Sequence, residues 1–258
     1  MAVARKRKNG TPNGSTLSKR QMKRKPINLD HLKVIEPLTE NQTKAFTAFK
    51  EGKNLCLHGV AGTGKTFISL YLALQQVLDP ATPYDKIYMV RSLVPTREIG
   101  FLPGDHEDKS DLYQIPYRNM VKYMFSMPDE ATFNGLYDNL RGQDSISFWS
   151  TSFLRGVTLD RAIIIVDEFS NLNFHELDSI ITRVGQDSKI LFCGDYAQSD
   201  LTKVNEKGGV LDFMQILQAM ESFTCIEFEI PDIVRSGFIK EYLISKINLN
   251  LDLSLIHI

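Results

Sequence analysis

Eight consecutive residues, Gly59-Val60-Ala61-Gly62-Thr63-Gly64-Lys65-Thr66, carry the pattern Gly-x-x-x-x-Gly-Lys-Ser/Thr in full. Glycines at such spacing let the backbone curl until successive N–H groups point inward around an anion, and a helix that follows adds its positive N-terminal end. Lys65 would then bring a mobile charge to the β and γ phosphates of a nucleotide, and the Thr66 hydroxyl is placed to ligate Mg²⁺. A glycine-rich turn without a ligand would leave the Lys-Thr pair unexplained.

About a hundred residues further on, Ala162-Ile-Ile-Ile-Val-Asp167-Glu168 is an apolar run that ends in adjacent carboxylates. In open α/β sheets ligands collect at the C-terminal ends of strands, which is where these two groups fall. Asp167 would hold Mg²⁺, mostly through its water shell, and Glu168 could take a proton from an attacking water. A strand stop with two solvated carboxylates is the bland alternative. A third element, Gly194-Asp195-Tyr-Ala-Gln198, ends the next apolar run. The Gln198 amide can donate to a γ-phosphate oxygen and accept from a lytic water, although a simple Gly-Asp turn accounts for the same residues.

These groups need a scaffold. Thr39-Glu-Asn-Gln42 has the form of a capping box and predicts a helix running to about residue 51. Residues 54–58 form a short apolar run bounded by glycines, which suits a buried parallel strand, and residues 67–78 show helical spacing. Further strands are expected at 86–91, 145–150, 162–167, 189–194 and 224–230, with helices at 174–184, 210–220 and 233–247. Strands alternating with helices predict an α/β domain with a largely parallel sheet. Residues 92–127, with three prolines and paired charges, are less regular, and a connection of that length is usually functional or holds small elements of its own.

With 258 residues, 43% of them apolar, the chain can bury a full core as one domain with an arm. The formal charge of −1 hides an asymmetry: residues 1–25 hold nine Lys or Arg and no acid, which leaves 21 basic against 31 acidic side chains elsewhere. The organisation expected is a basic, disordered arm at 1–36, an ATPase-like domain at 37–247 and a tail at 248–258. The arm suits either a solubilising role or contact with single-stranded RNA or DNA phosphates. The tail alternates strictly between polar and apolar, which fits an edge strand or the end of a truncated gene, and no function is assigned to it. Cys56, Cys193 and Cys225 sit in separate apolar runs, so they read as buried free thiols rather than a disulfide framework. No run approaches the length that spans a bilayer, and a soluble cytoplasmic protein without membrane contact is expected. Trp149 invites nucleobase stacking, but Ile146 and Phe148 beside it favour a core position. A guanine-reading Asn/Thr-Lys-x-Asp motif does not follow the Gly-rich loop, which favours ATP over GTP.

The chain resembles the PhoH family of phosphate-starvation-associated ATPases, found in bacteria and phages, over roughly residues 37–247. The resemblance rests on Gly59–Thr66, Gly100-Phe-Leu-Pro-Gly-Asp105 with Lys109, Tyr113 and Pro116, Arg155-Gly-Val-Thr-Leu159 and Asp167-Glu-Phe-Ser-Asn171. It continues through Thr182-Arg-Val-Gly185, Gly194-Asp-Tyr-Ala-Gln198 and Asp232-Ile-Val-Arg235. It implies a RecA-like P-loop NTPase core similar to the N-terminal ATPase domain of superfamily-1 helicases, with Gln42 where those enzymes read adenine. Two departures, Asp167-Glu-Phe-Ser-Asn171 for the usual Asp-Glu-Ala-Gln-Asn and Val157 for an Arg, weaken the case for strand separation more than that for ATP hydrolysis. P-loop enzymes often complete the charge on the transferred phosphoryl group with an arginine finger. A single core cannot easily aim one at its own site, so a homo-oligomeric ring, a hexamer for example, is expected, with Arg235 favoured over Arg183 as the finger. The expected activity is a nucleic-acid-dependent, RNA-favoured ATPase, and the alternative is a slow nucleotide-dependent switch with a protein partner.

Overall fold

A computed structural model of the chain describes residue 27 and residues 29–91, 106–154, 156–195 and 204–249. The basic arm at 1–25, the Gly100–Asp105 string, Arg155, Gln198 and residues 250–258 of the tail lie outside the described residues. Six strands form one sheet: β1 (Asn54–Gly59), β2 (Lys86–Arg91), β3 (Ile146–Ser150), β4 (Ala162–Asp167), β5 (Lys189–Cys193) and β6 (Phe223–Phe228). Their order is β3-β2-β4-β5-β1-β6, and every neighbouring pair is parallel.

Parallel sheets need cover on both faces, and the side-chain alternation supplies it. Along β4, Ile163 and Ile165 join one apolar cluster while Ala162, Ile164 and Val166 join the other. The first cluster is closed by α1 (Glu40–Lys50), α2 (Lys65–Val77), α3 (His106–Met124) and α4 (Glu130–Gly142), and the second by α5 (Phe174–Ile181) and α6 (Val204–Ala219). All six residues of β4 and all five of β5 are buried. A last helix, α7 (Gly237–Asn248), buries none of its residues. The result is the doubly covered parallel sheet of a P-loop core. Among the described residues no helix is long and apolar enough to cross a membrane.

The expected strands appear within a residue or two of their positions, but five helices depart from expectation. The irregular stretch contains the whole of α3, which runs through Pro116, and α4 follows it unannounced. Both bury a stripe along one face: Tyr117, Val121 and Met124 on α3, and Phe133, Leu136, Tyr137 and Leu140 on α4. Asp129 starts α4 by accepting from the Thr132 N–H at 2.7 Å. α6 begins at Val204, six residues early, and α5 stops at Ile181 because Val184 forms a parallel bridge with Leu159. α7 starts at Gly237 rather than Ile233, since residues 233–235 run extended against the Gly-rich loop, where the Val234 N–H donates to the Gly62 carbonyl at 3.2 Å. Trp149 is half-buried and meets Tyr88 edge-on, with centroids 5.3 Å apart, so it belongs to the sheet's packing. Cys56 and Cys193 are buried and Cys225 is half-buried, all three as free thiols.

Candidate nucleotide site

The strand order brings the C-terminal ends of β1, β5 and β4 side by side. A cleft of about 610 Å³ opens above them, and Lys65, Thr66, Asp167, Glu168 and Arg235 line it together with Ala61, Gly62 and Gly64. Gly59 and Val60 face a neighbouring crevice instead, and Thr63 is buried beneath the loop.

The loop between β1 and α2 has the shape its glycines allow. Gly59 has φ +106°, and a Cβ there would lie 2.2 Å from the Phe228 carbonyl oxygen on β6. Gly62 has φ +77°, and a Cβ would press on Leu243 and on Arg235 Cγ at 3.0 and 3.1 Å. The buried Lys65 ammonium donates to the carbonyls of Gly59 at 2.8 Å and Val60 at 2.7 Å, and to Thr63 Oγ1 at 3.3 Å. Burial lowers its pKa, opposed by the negative charges of Asp195 and Asp167. Its hydrogen-bond acceptors among the described residues are neutral oxygens, so the cation is held in place without being neutralised.

Thr66 Oγ1 donates to Asp167 Oδ1 at 2.7 Å, joining two residues 101 positions apart. The other oxygen, Oδ2, accepts from the Tyr117 hydroxyl of α3 at 2.6 Å. Tyr117 is buried, and burial together with the Asp167 carboxylate pushes its pKa far above the phenol range, so it stays a donor. A threonine hydroxyl and an oriented carboxylate at one point are the hard oxygen donors that a magnesium ion takes, so the residues fit that ion.

Glu168 leaves the strand in the left-handed region, at φ 51° and ψ 43°, a conformation unusual for a non-glycine residue. Its Oε2 accepts from Arg91 Nη2 at 2.6 Å. Burial works against the Arg91 charge, but Glu168, Tyr117 and Asp167 outweigh it and raise the guanidinium pKa above its ordinary value.

Gln42 is 3% exposed and uses both ends of its amide. Its Oε1 accepts from the Leu38 N–H at 2.8 Å, and its Nε2 donates to the Thr63 carbonyl at 2.9 Å. The capping box is therefore half formed: Thr39 Oγ1 accepts from the Gln42 N–H at 3.3 Å, while the glutamine side chain reaches the residue before the cap and the P-loop. Asp232 is buried and accepts from Asn41 at 2.7 Å and from the Glu229 N–H at 3.0 Å, which fixes the turn that delivers Arg235.

Arg235 thus reaches the cleft of its own chain, packed against Gly62, and needs no second subunit to arrive there. Arg183 lies by the N-terminal ends of β4 and β5, at the opposite end of the strands from the cleft. Its carbonyl accepts from Leu159, three residues before β4 begins, and its Nε donates to the Ser179 carbonyl at 3.3 Å. Asp195, at the end of β5, lines the cleft. Sequence reasoning missed Arg91 and Tyr117. Arg91 offered a signal, since it closes an apolar strand with a charge, as Asp167 does, and the two are register partners on β2 and β4. Tyr117 offered none beyond its place in the α3 stripe.

Residues 34–245 match the family described as PhoH-like protein. The chain belongs to the PhoH-like family. Protein PhoH2 of Bacillus subtilis is 32% identical over 182 residues, 69% of this chain and 40% of that protein. A PhoH-like protein of Synechocystis is 32% identical over 192 residues, 74% of this chain and 55% of that one. The chain thus spans about half the length of these curated PhoH relatives. Among solved structures, the large terminase of a thermophilic bacteriophage in complex with ADP is similar over 81% of this chain and 50% of its own, at 10% identity and a TM-score of 0.49. The PhoH-like chain has the fold of a P-loop core, with a cleft that gathers Lys65, Arg91 and Arg235 beside Asp167 and Glu168.

Proposed function

We propose that the chain hydrolyses ATP with Mg²⁺ and that nucleic acid, RNA in preference, stimulates the reaction. The observation that carries this reading is the 2.7 Å hydrogen bond from Thr66 to Asp167, which joins the P-loop to the carboxylate strand at one point. Thr66 Oγ1 and the Asp167 carboxylate would hold Mg²⁺, whose chemistry is to neutralise the phosphate charge. Lys65 turns from its loop carbonyls to the β and γ phosphate oxygens, exchanging neutral acceptors for charged ones. Glu168 accepts a proton from the water that attacks the γ-phosphorus as the bond to the ADP oxygen breaks. Arg235 adds positive charge to the transferring group from within the same chain, and Gln198 senses the third phosphate.

A second element of the proposal is assembly into a homo-oligomer, with the basic residues of 1–25 holding RNA or DNA phosphates. The test is ATP turnover in Mg²⁺ and in EDTA, with and without single-stranded RNA or DNA, on material of measured mass. Metal-dependent turnover stimulated by RNA is expected, together with a mass several times that of one chain. Binding of ATP without turnover under any of these conditions would favour the nucleotide-dependent switch.

A further inference from the structure

Arg91 lines the cleft but has no part in the reaction proposed above. It ends β2, directly beside Asp167 in the register, and its guanidinium holds the Glu168 carboxylate at 2.6 Å. The carboxylate meant to accept a proton from water is therefore engaged on a cation of its own chain. This pair is neither sealed in the core nor loose on the surface: the side chains are 29% and 46% exposed, and both residues face the space in front of Lys65 and Thr66. The backbone at Glu168 points the same way. A left-handed, non-glycine conformation is strained and persists where the surroundings enforce it, commonly at switch positions.

A triphosphate changes the balance of charge in this space, because it brings oxygens that a diphosphate lacks. Guanidinium presents planar, paired donors that suit phosphate oxygens as well as they suit a carboxylate. We propose that Arg91 is a γ-phosphate ligand that exchanges Glu168 for the third phosphate, and so releases the general base only when a triphosphate is bound. The inference rests on the ATPase reading and deepens it: product ADP leaves Arg91 with Glu168, and ATP separates them. A fixed ion pair that merely braces residues 168–171 would be indifferent to the third phosphate.

The test compares binding of ADP and of a non-hydrolysable β,γ-imido ATP analogue, by displacement of a fluorescent nucleotide, in wild type, Arg91→Ala, Glu168→Gln and the double variant. Losing a charge-assisted contact predicts that Arg91→Ala binds the analogue about tenfold or more weaker, while its ADP affinity stays within about twofold. Glu168→Gln should tighten analogue binding several-fold in the wild-type background, by removing the competitor, and much less in the Arg91→Ala background. Arg91→Lys keeps the charge without the fork, serves where the alanine variant does not fold, and should show an intermediate loss for the analogue alone. Equal losses for both nucleotides, or none for either, overturn the inference. Wild-type protein that binds neither nucleotide would instead overturn the ATPase reading itself.

Discussion

Replacing Gln42 by Ala separates two jobs that a glutamine upstream of a P-loop can do. In this structure the amide braces the loop, donating to the Thr63 carbonyl at 2.9 Å and accepting from the Leu38 N–H at 2.8 Å. Thr63 is fully buried, so its carbonyl would lose a donor where water does not readily replace it, at about 1–3 kcal/mol. Leu38 is 76% exposed, and its N–H can turn to solvent at little cost. The side chain itself is buried, so the void adds roughly another 1 kcal/mol, for a total of about 2–4 kcal/mol. Urea unfolding of the nucleotide-free protein reads this directly. ATP and GTP affinities should fall together, because the loop and not the base has lost a partner. Stability within about 0.5 kcal/mol of wild type, with a preference for ATP over GTP that falls by an order of magnitude, would refute the bracing role and restore base reading.

Gly59→Ala should destabilise the fold by roughly 2–5 kcal/mol in the same assay, since a Cβ 2.2 Å from the Phe228 oxygen must push β6 off β1 and φ +106° is strained for alanine; a loss under about 1 kcal/mol would show that the contact relaxes freely. Tyr117→Phe removes the 2.6 Å donor to Asp167, and the Mg²⁺ concentration for half-maximal turnover should rise several-fold while ADP binding in EDTA stays unchanged; loss of metal-free binding as well would mean that Tyr117 supports the whole cleft. The His58 pKa is lowered from its ordinary 6.5, mainly by burial, with Lys65 adding to the effect and Glu227 opposing it. Its unfolded form therefore takes up a proton first as pH falls, so this contribution is complete above about pH 6.5 and is lost on acidification. His58→Asn should flatten the fall in stability as pH drops below about 6.5, and an unchanged slope would show that other groups carry it.

What could be read in advance was local. The all-apolar run of β4 and its two terminal carboxylates lie within seven residues, and the P-loop within eight, so composition and spacing suffice to find them. Strand order is a different kind of information, because it is set by crossovers whose direction a run of residues does not encode. Arg91 therefore escaped: its charge was visible, but its neighbour across β2 and β4 was not. Tyr117 escaped for a similar reason, since Pro116 and the surrounding charges disguised a helix whose buried stripe becomes clear only once it has a sheet to face. The placement of Arg235 beside Gly62 was equally illegible, because it depends on the turn at residues 229–232, where Asp232 and Asn41 meet and the chain comes back along the P-loop.

Two adjacent carboxylates receive different environments because the chain changes conformation between them. Asp167 is the last strand residue and is 8% exposed, while Glu168 turns into the left-handed region with a half-exposed side chain. The excursion between β2 and β3 holds both. It leaves the sheet at Arg91, which grips Glu168, and Tyr117 on α3 grips Asp167. The outer turn of the same helix carries Tyr123, 64% exposed, whose ring meets Phe67 edge-on with centroids 5.7 Å apart, and Phe67 follows directly on Thr66. α3 therefore touches both sides of the cleft, the P-loop side through Tyr123 on Phe67 and the carboxylate side through Tyr117 on Asp167. One excursion thus supplies the partners of both carboxylates, which is why two adjacent acids at the end of β4 differ so much in burial and in what holds them.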